Sequence, residues 1–271
     1  MSPMIAAKSL TFPTRLWAML AAIGRWYAMI VTLMGENFAY RHKRLRLNAL
    51  LALAEPLVFI AMITLLHEAL HQSPPFGSSA VLFFATGVLP YSVFMHSSNR
   101  TRVTESSLRL PGVTQFDILL AHILDELLLK IVVIGLVFFG LYLTGVEEAI
   151  PVEPVQCFAA LGVLALMGVG FGMVSVVLYS AWSWWKYMYP FLVRALLLFS
   201  SVMYVMDLVP DPARSVMVWD PMAHAITWFR AGVYSFYPTR LLDLTYMFEC
   251  AIGMVVIGIL VETSTREWRL R

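Results

Sequence analysis

The chain has 271 residues, of which 60% are apolar and 13% charged, with a formal net charge of +2. A soluble globular domain carries about 45–50% apolar residues, so the composition excludes a soluble fold and predicts an all-α polytopic membrane protein with no nucleic-acid partner. The two cysteines, Cys157 and Cys250, sit inside apolar runs, which argues against a disulfide framework.

Taken in order, residues 1–46 read as a cytoplasmic N-terminal segment. Its stretch 14–34 is apolar but interrupted at Gly24-Arg25, predicting an interfacial amphipathic helix, with a seventh span as the alternative. No apolar core with a small-residue cleavage site follows the first residues, so a cleaved signal peptide is not expected. Six runs are long enough to cross a ~30 Å hydrocarbon core: 47–66, 80–98, 117–144, 155–181, 187–206 and 244–262. They predict a six-helix transmembrane domain over 47–262 and a tail over 263–271. Gly87 and Pro90 predict a bend or break in the second span.

Orientation follows from Lys and Arg in the short flanks. Residues 1–46 hold seven, the 99–116 loop holds Arg100, Arg102 and Arg109, the 182–186 turn holds Lys186, and the tail holds Arg266, Arg269 and Arg271. The opposite segments 67–79 and 145–154 hold none, and 207–243 holds Arg214, Arg230 and Arg240. Fourteen against three places both termini in the cytoplasm and Glu147, Glu148 and Glu153 outside. The outer segment 207–243 is half apolar, with six aromatics over 218–238 around Asp220, His224 and Arg230. Its charges exclude a full hairpin of two spans. The remaining reading is a re-entrant pair of short helices between the fifth and sixth spans, which requires protein or water around it.

Several features could carry chemistry. The string HEALH at 67–71 matches H-E-x-x-H, which on a helix puts His67 and His71 on one face for zinc with Glu68 as base. Asp207, in the string DLVP, offers a distant third ligand, but the motif stands two residues before the helix-breaking SPPFG. Chance is the blander reading, a membrane zinc metalloprotease the remote one, and no metal site is expected. No G-x-x-x-x-G-K-[ST] occurs, so the chain binds no ATP through a P-loop. Arg194 lies mid-way along the fifth span, where a charge costs about 2.5–3.5 kcal/mol on insertion scales. It either lines a pore or pairs with a carboxylate. Glu126 and Lys130, beside Asp125, are spaced to neutralise one another on one helix face. Glu55-Pro56 carries no assigned chemistry. The turn 179–190 holds three Trp and three Tyr, which is either an interface belt or a surface for sugar rings.

Four segments carry a resemblance. ENFAYRHKRLRLNALLALAEPL (36–57) looks like a basic helix entering a first span. FFATGVLPYSVF (83–94) has an apolar-Thr-Gly-apolar-apolar-Pro-aromatic pattern. LRLPGVTQFDILLAHILDE (108–126) has Pro111, Val113 and Asp117 at a matching spacing. VPDPARSVMVWDPMAHAITWFRAGVY (209–234) sets a Pro after Asp220, where the pattern usually has Asn, ahead of an aromatic-Arg pair. Over about 35–265 the chain resembles the permease subunits of ABC-2-type polysaccharide exporters, most closely the capsule polysaccharide export permeases.

The resemblance implies a bacterial inner-membrane homodimer that pairs with two ATP-binding cassette ATPase subunits. ATP and Mg would sit on those partners, with no cofactor bound by this chain. A lipid-linked, acidic capsular polysaccharide would be the cargo, with a periplasmic adaptor and an outer-membrane export protein beyond it. The alternative is an ABC-2 exporter of O-antigen, lipid or drug. On this reading Arg194, Trp182, Trp184, Trp185 and Tyr187 line the substrate pathway. Asp220, Trp228, Phe229, Arg230, Tyr234, Phe236 and Tyr237 form an outer gate, with Arg230 meeting the glycan or pinned to a carboxylate such as Glu147. Arg100, Arg102, Arg109, Leu110, Pro111 and Gly112 couple to the ATPase. Arg41, Lys43, Arg44 and Arg46 lie on anionic headgroups.

Overall fold

A computed structural model of the chain describes residues 31–32, 35, 46–99 and 115–269. The expectations for 14–34 (31 and 32 apart, which are helical), for Arg41, Lys43 and Arg44, and for the loop residues Arg100, Arg102, Arg109, Leu110, Pro111 and Gly112 lie outside these. So do the side chains of Arg46, Asp125 and Glu126.

The described residues form helices α1 (Arg46–Ala69), α2 (Ala80–Ser98), α3 (Gln115–Leu143), α4 (Pro154–Ala181), α5 (Trp185–Phe199), α6 (Ala213–Met217), α7 (Pro221–Val233) and α8 (Leu244–Arg269). Two single 3-10 turns, Glu147–Ala149 and Met206–Leu208, stand in the connections, and no strand occurs among the described residues. The chain is an all-helical, multi-pass membrane protein. Among the described residues, three helices are long and apolar enough to cross a membrane: Ala80–Ser98, Pro154–Ala181 and Leu244–Thr265.

The core centres on α2. Ser79 caps it through its hydroxyl, which accepts from Leu82 N–H, and fifteen of its nineteen residues are buried. With no polar face to show to water, α2 must be wrapped, and α1, α3, α4 and α7 all pack on it. The helix continues through Pro90 rather than ending there. Contacts between α2, α4 and α5 run through aromatic rings: Phe94 lies 5.8 Å from Phe171, which stacks 6.0 Å from Tyr189. The Tyr189 and Ser98 hydroxyls bond at 2.6 Å, and the Tyr91 hydroxyl donates to the Val193 carbonyl. Helix α8 lies along α4 but turns most of its apolar surface outward. It runs to Arg269 instead of stopping near 262, because no Gly or Pro interrupts 259–269.

The largest departure concerns the fifth span, expected over 187–206. Helix α5 has fifteen residues and ends at Phe199, a length of about 22 Å, short of a hydrocarbon core. Ser201 then takes a left-handed φ of 59° and 200–205 runs without helical structure.

The connections 70–79, 144–153 and 200–243 meet at one end of the bundle. Ser78 N–H donates to the Glu148 carboxylate at 2.9 Å, and Phe76 packs edge-on against Tyr234 and Tyr237.

Candidate functional site

The polar centre of that end is Arg230, near the close of α7. It is fully buried, and a guanidinium at such a place requires an acceptor for each of its five N–H groups. It has them. Nη1 donates to the carbonyls of Ser201 at 2.6 Å and Tyr204 at 3.0 Å, with the Tyr237 hydroxyl at 3.4 Å. Nη2 donates to Val202 at 2.6 Å and Phe83 at 3.2 Å, and Nε to the Thr86 hydroxyl at 3.3 Å. The Phe83 ring covers one face of the guanidinium, 3.9 Å from Cζ.

This cage explains why α5 stops. A helix end leaves four carbonyls without partners. Ser200 Oγ takes Leu196 O at 2.6 Å, and the Tyr204 hydroxyl lies 2.9 and 2.5 Å from the carbonyls of Leu198 and Phe199. The next carbonyls turn to Arg230, a cation at the negative end of a helix dipole. Gly87 makes the approach possible, since a Cβ there would lie 2.5 Å from Val202 O and 2.7 Å from Arg230 Nη2. Two segments 144 residues apart, Phe83–Gly87 and Phe229–Arg230, are therefore halves of one site.

Helix α7 is fixed along its length. Asp220 Oδ1 caps it by accepting from Met222 N–H at 3.0 Å, with Pro221 at the first helical position. His224, wholly buried, donates from Nε2 to Val218 O at 2.8 Å and accepts Asp243 N–H on Nδ1 at 3.1 Å. Those partners fix the neutral Nε2–H tautomer and tie the starts of α7 and α8 together. Glu153 N–H and Gln156 Nε2 reach the carbonyls of Gly232 and Trp228 at 2.8 Å each. Burial raises the Asp220 carboxyl above the usual carboxylate range, and its Oδ2 is buried without a hydrogen-bond partner. At thirteen residues α7 is about 20 Å long, and ten of its residues are buried.

The chain resembles capsule polysaccharide export permeases.

Two proteins of Escherichia coli, both described as polysialic acid transport protein KpsM, are each 22% identical to it over 232 residues, covering 84% of this chain and 89% of theirs. No family model matches.

The residues expected to serve an outer gate fall into three environments. Phe229, Arg230, Tyr234 and Tyr237 belong to the core. Asp220 and Trp228 are half-buried. Phe236 is 98% exposed at the tip of a turn, with φ 64°. Carbonyls and hydroxyls hold Arg230, and Glu147, weighed as its partner, is not among them; Glu148 binds Ser78 N–H instead.

Of the residues expected to line a substrate pathway, Trp182 and Trp184 stack at 5.7 Å and Trp185 meets Trp184 edge-on, and Lys186 lies over the Tyr187 ring. Arg194 is exposed on α5 and bonds no described residue. Trp184, Tyr187, Met188 and Phe191 are exposed on the same helix and the turn before it. Lys130 is buried in α3, and Glu55 is exposed on α1.

The HEALH residues do not assemble. Helix α1 ends at Ala69, and His71 stands beyond it at φ 53°, so the two histidines do not share a helical face. His67 donates from Nε2 to Ser73 O at 2.7 Å. Asp207, the weighed third ligand, accepts the amides of Arg240 and Leu241 at 2.9 and 3.1 Å. Among the described residues no three His, Cys, Asp or Glu gather for a metal.

Thr86, Gly87, Ser201 and Val202 were missed as site residues from sequence. The available signal was a Thr-Gly step inside an otherwise apolar span, together with an arginine in an aromatic segment needing acceptors.

Proposed function

We propose that this chain is the membrane subunit of an ATP-driven exporter that moves a lipid-linked, acidic polysaccharide across the bacterial inner membrane. Two copies close a passage between them, and two separate ATPase subunits drive it. In this reading α1, α2, α3, α4, α5 and α8 are six spans with both termini in the cytoplasm. The stretch 200–220 and the buried α7, between the short span α5 and α8, make the re-entrant outer segment. A periplasmic adaptor and an outer-membrane protein continue the path.

Arg194 carries the reading. A cation exposed half-way along a span, with no partner among the described residues, is not stable against lipid. It calls for water or a second copy, and a passage between two copies supplies both. There it offsets the charge of an acidic glycan, while Trp182, Trp184 and Tyr187, exposed towards the cytoplasmic end, offer ring faces for loose sugar contact. Arg230 acts differently: it holds the end of α5 to α2 and α7, so that movement of one is felt by the others.

The test is Arg194→Ala in cells. Surface polysaccharide should be lost while the chain still co-purifies as a dimer with its ATPase. Unchanged export would overturn the pore assignment. Export of small amphiphiles by the reconstituted complex, with none of glycan, would favour the other ABC-2 substrate classes.

A further inference from the structure

A cleft of about 460 Å³ opens at the end of the bundle that holds the 70–79, 144–153 and 200–243 connections. Its walls include Phe76, Glu147, Glu148, Ile150, Val152 and Tyr234. Glu148 is anchored by Ser78 N–H through Oε2. Glu147 is exposed and bonds no described residue through its carboxylate. Gly77, at φ 75°, brings the parts together: a Cβ there would meet Glu148 Oε2 at 2.6 Å and the Tyr234 ring at 2.8 Å. The aromatic side is fixed, because Phe76 lies edge-on to Tyr234 at 5.3 Å and Tyr234 stacks on Tyr237 at 6.1 Å.

Two carboxylates beside aromatic rings attract an organic cation and repel an anion. The connections 67–79 and 145–154 contain no Lys or Arg to neutralise them. The mouth of the cleft is apolar and continues onto the bundle's flank. Ile150 and Val152 are more than half exposed, and next to them on the first turns of α4 so are Val155 and Phe158. A flank this apolar is suited to contact with acyl chains.

We propose that this cleft holds the headgroup of an outer-leaflet lipid bearing a primary ammonium. The ammonium sits between Glu147, the free oxygen of Glu148 and the Phe76 and Tyr234 rings, and the acyl chains run down past Val152, Val155 and Phe158. A primary ammonium suits the site better than a quaternary one, because it donates N–H bonds to the carboxylates as well as facing the rings. An anionic headgroup is disfavoured by the same two carboxylates. The proposal rests on the outward placement of this end in the reading above, but not on glycan export.

The test uses the full chain, with its ATPase partner, in nanodiscs of stated composition. Phosphatidylethanolamine should be retained on gentle extraction and should raise the unfolding temperature relative to phosphatidylcholine or phosphatidylglycerol. Glu147→Gln should weaken that retention roughly tenfold, the scale of one charge-assisted bond, and Phe76→Leu should weaken it less. The Glu147 carboxylate bonds no described residue, so its replacement by an amide leaves folding intact. Equal retention of all three lipids, or of none, overturns the proposal. So does a tri-lysine peptide that binds as tightly as the lipid, which would give the cleft to a basic segment of a protein. A cleft that selects phosphatidylethanolamine in a chain that exports no glycan would leave this inference standing and sink the transport reading alone.

Discussion

Arg230 Nη2 donates to the carbonyl of Val202 at 2.6 Å across the gap left by the missing side chain of Gly87. A buried charge, a broken helix and a glycine in a neighbouring helix are thus one construction. The break in α5 frees carbonyls, the arginine collects them, and the glycine gives both room.

The arginine is not replaceable by another cation. Lysine has three donors on one tetrahedral nitrogen, and it cannot reach carbonyls spread around a planar fork. Each buried acceptor left without a donor costs about 1–3 kcal/mol. Arg230→Lys should therefore lower stability by roughly 3 kcal/mol or more, with at least two acceptors orphaned. Thermal unfolding of the purified protein measures it, and near-wild-type stability would contradict the cage.

Gly87→Ala tests the same site from α2. The added methyl would lie 2.5 Å from Val202 O and 2.7 Å from Arg230 Nη2, separations that force backbone to move. Overpacking of this kind costs about 1–3 kcal/mol. Gly162→Ala in α4 is the control, since nothing lies within 4 Å of a Cβ there, and it should be neutral or slightly stabilising. Equal behaviour of the two variants would show that Gly87 is not a spacer.

Much of the bundle was legible in the sequence, because the signal was local. Span 80–98 coincides with α2, and 155–181 differs from α4 by one residue. Long apolar runs bounded by Pro, Gly and polar residues leave few alternatives in a membrane. The end of α5 was not legible, because nothing near it announces a stop. The stretch SSVMYVM reads as a continuing apolar helix, and its unwinding is compensated by Arg230, twenty-eight residues after Val202. The site was half visible: Arg230 and the Thr86-Gly87 step each stood out, but their meeting is a tertiary fact that spacing cannot encode.

Asp220 gives a pH dependence. Burial raises its folded-state pKa, so the native state holds the proton more tightly than the unfolded chain. The stability this contributes is full below the ordinary carboxylate pKa and is lost as pH rises through the raised value. Asn caps a helix about as well as Asp and carries no charge into the site. Asp220→Asn should therefore raise the unfolding temperature at neutral pH, and the advantage should shrink as the solution is acidified towards pH ~4. A gain that does not change with pH would mean the carboxylate is not the cause.

The face of α5 distinguishes water from lipid. Arg194 on α5 and Leu136 on α3 are both exposed in a single chain, so exposure alone does not separate a passage from the bilayer. A thiol is reactive as thiolate, which forms in water and not in hydrocarbon. In nanodiscs, Arg194→Cys should react quickly with a charged thiol reagent and Leu136→Cys slowly. The native thiols form a low background, with Cys157 buried and Cys250 half-buried. Added acidic polysaccharide should slow labelling at position 194 and leave position 136 unchanged, because only the first would lie on its route. Fast labelling at both positions, or protection at neither, would mean that α5 does not line a wet passage, and Arg194 would then have to find its counter-charge at an interface closed to substrate.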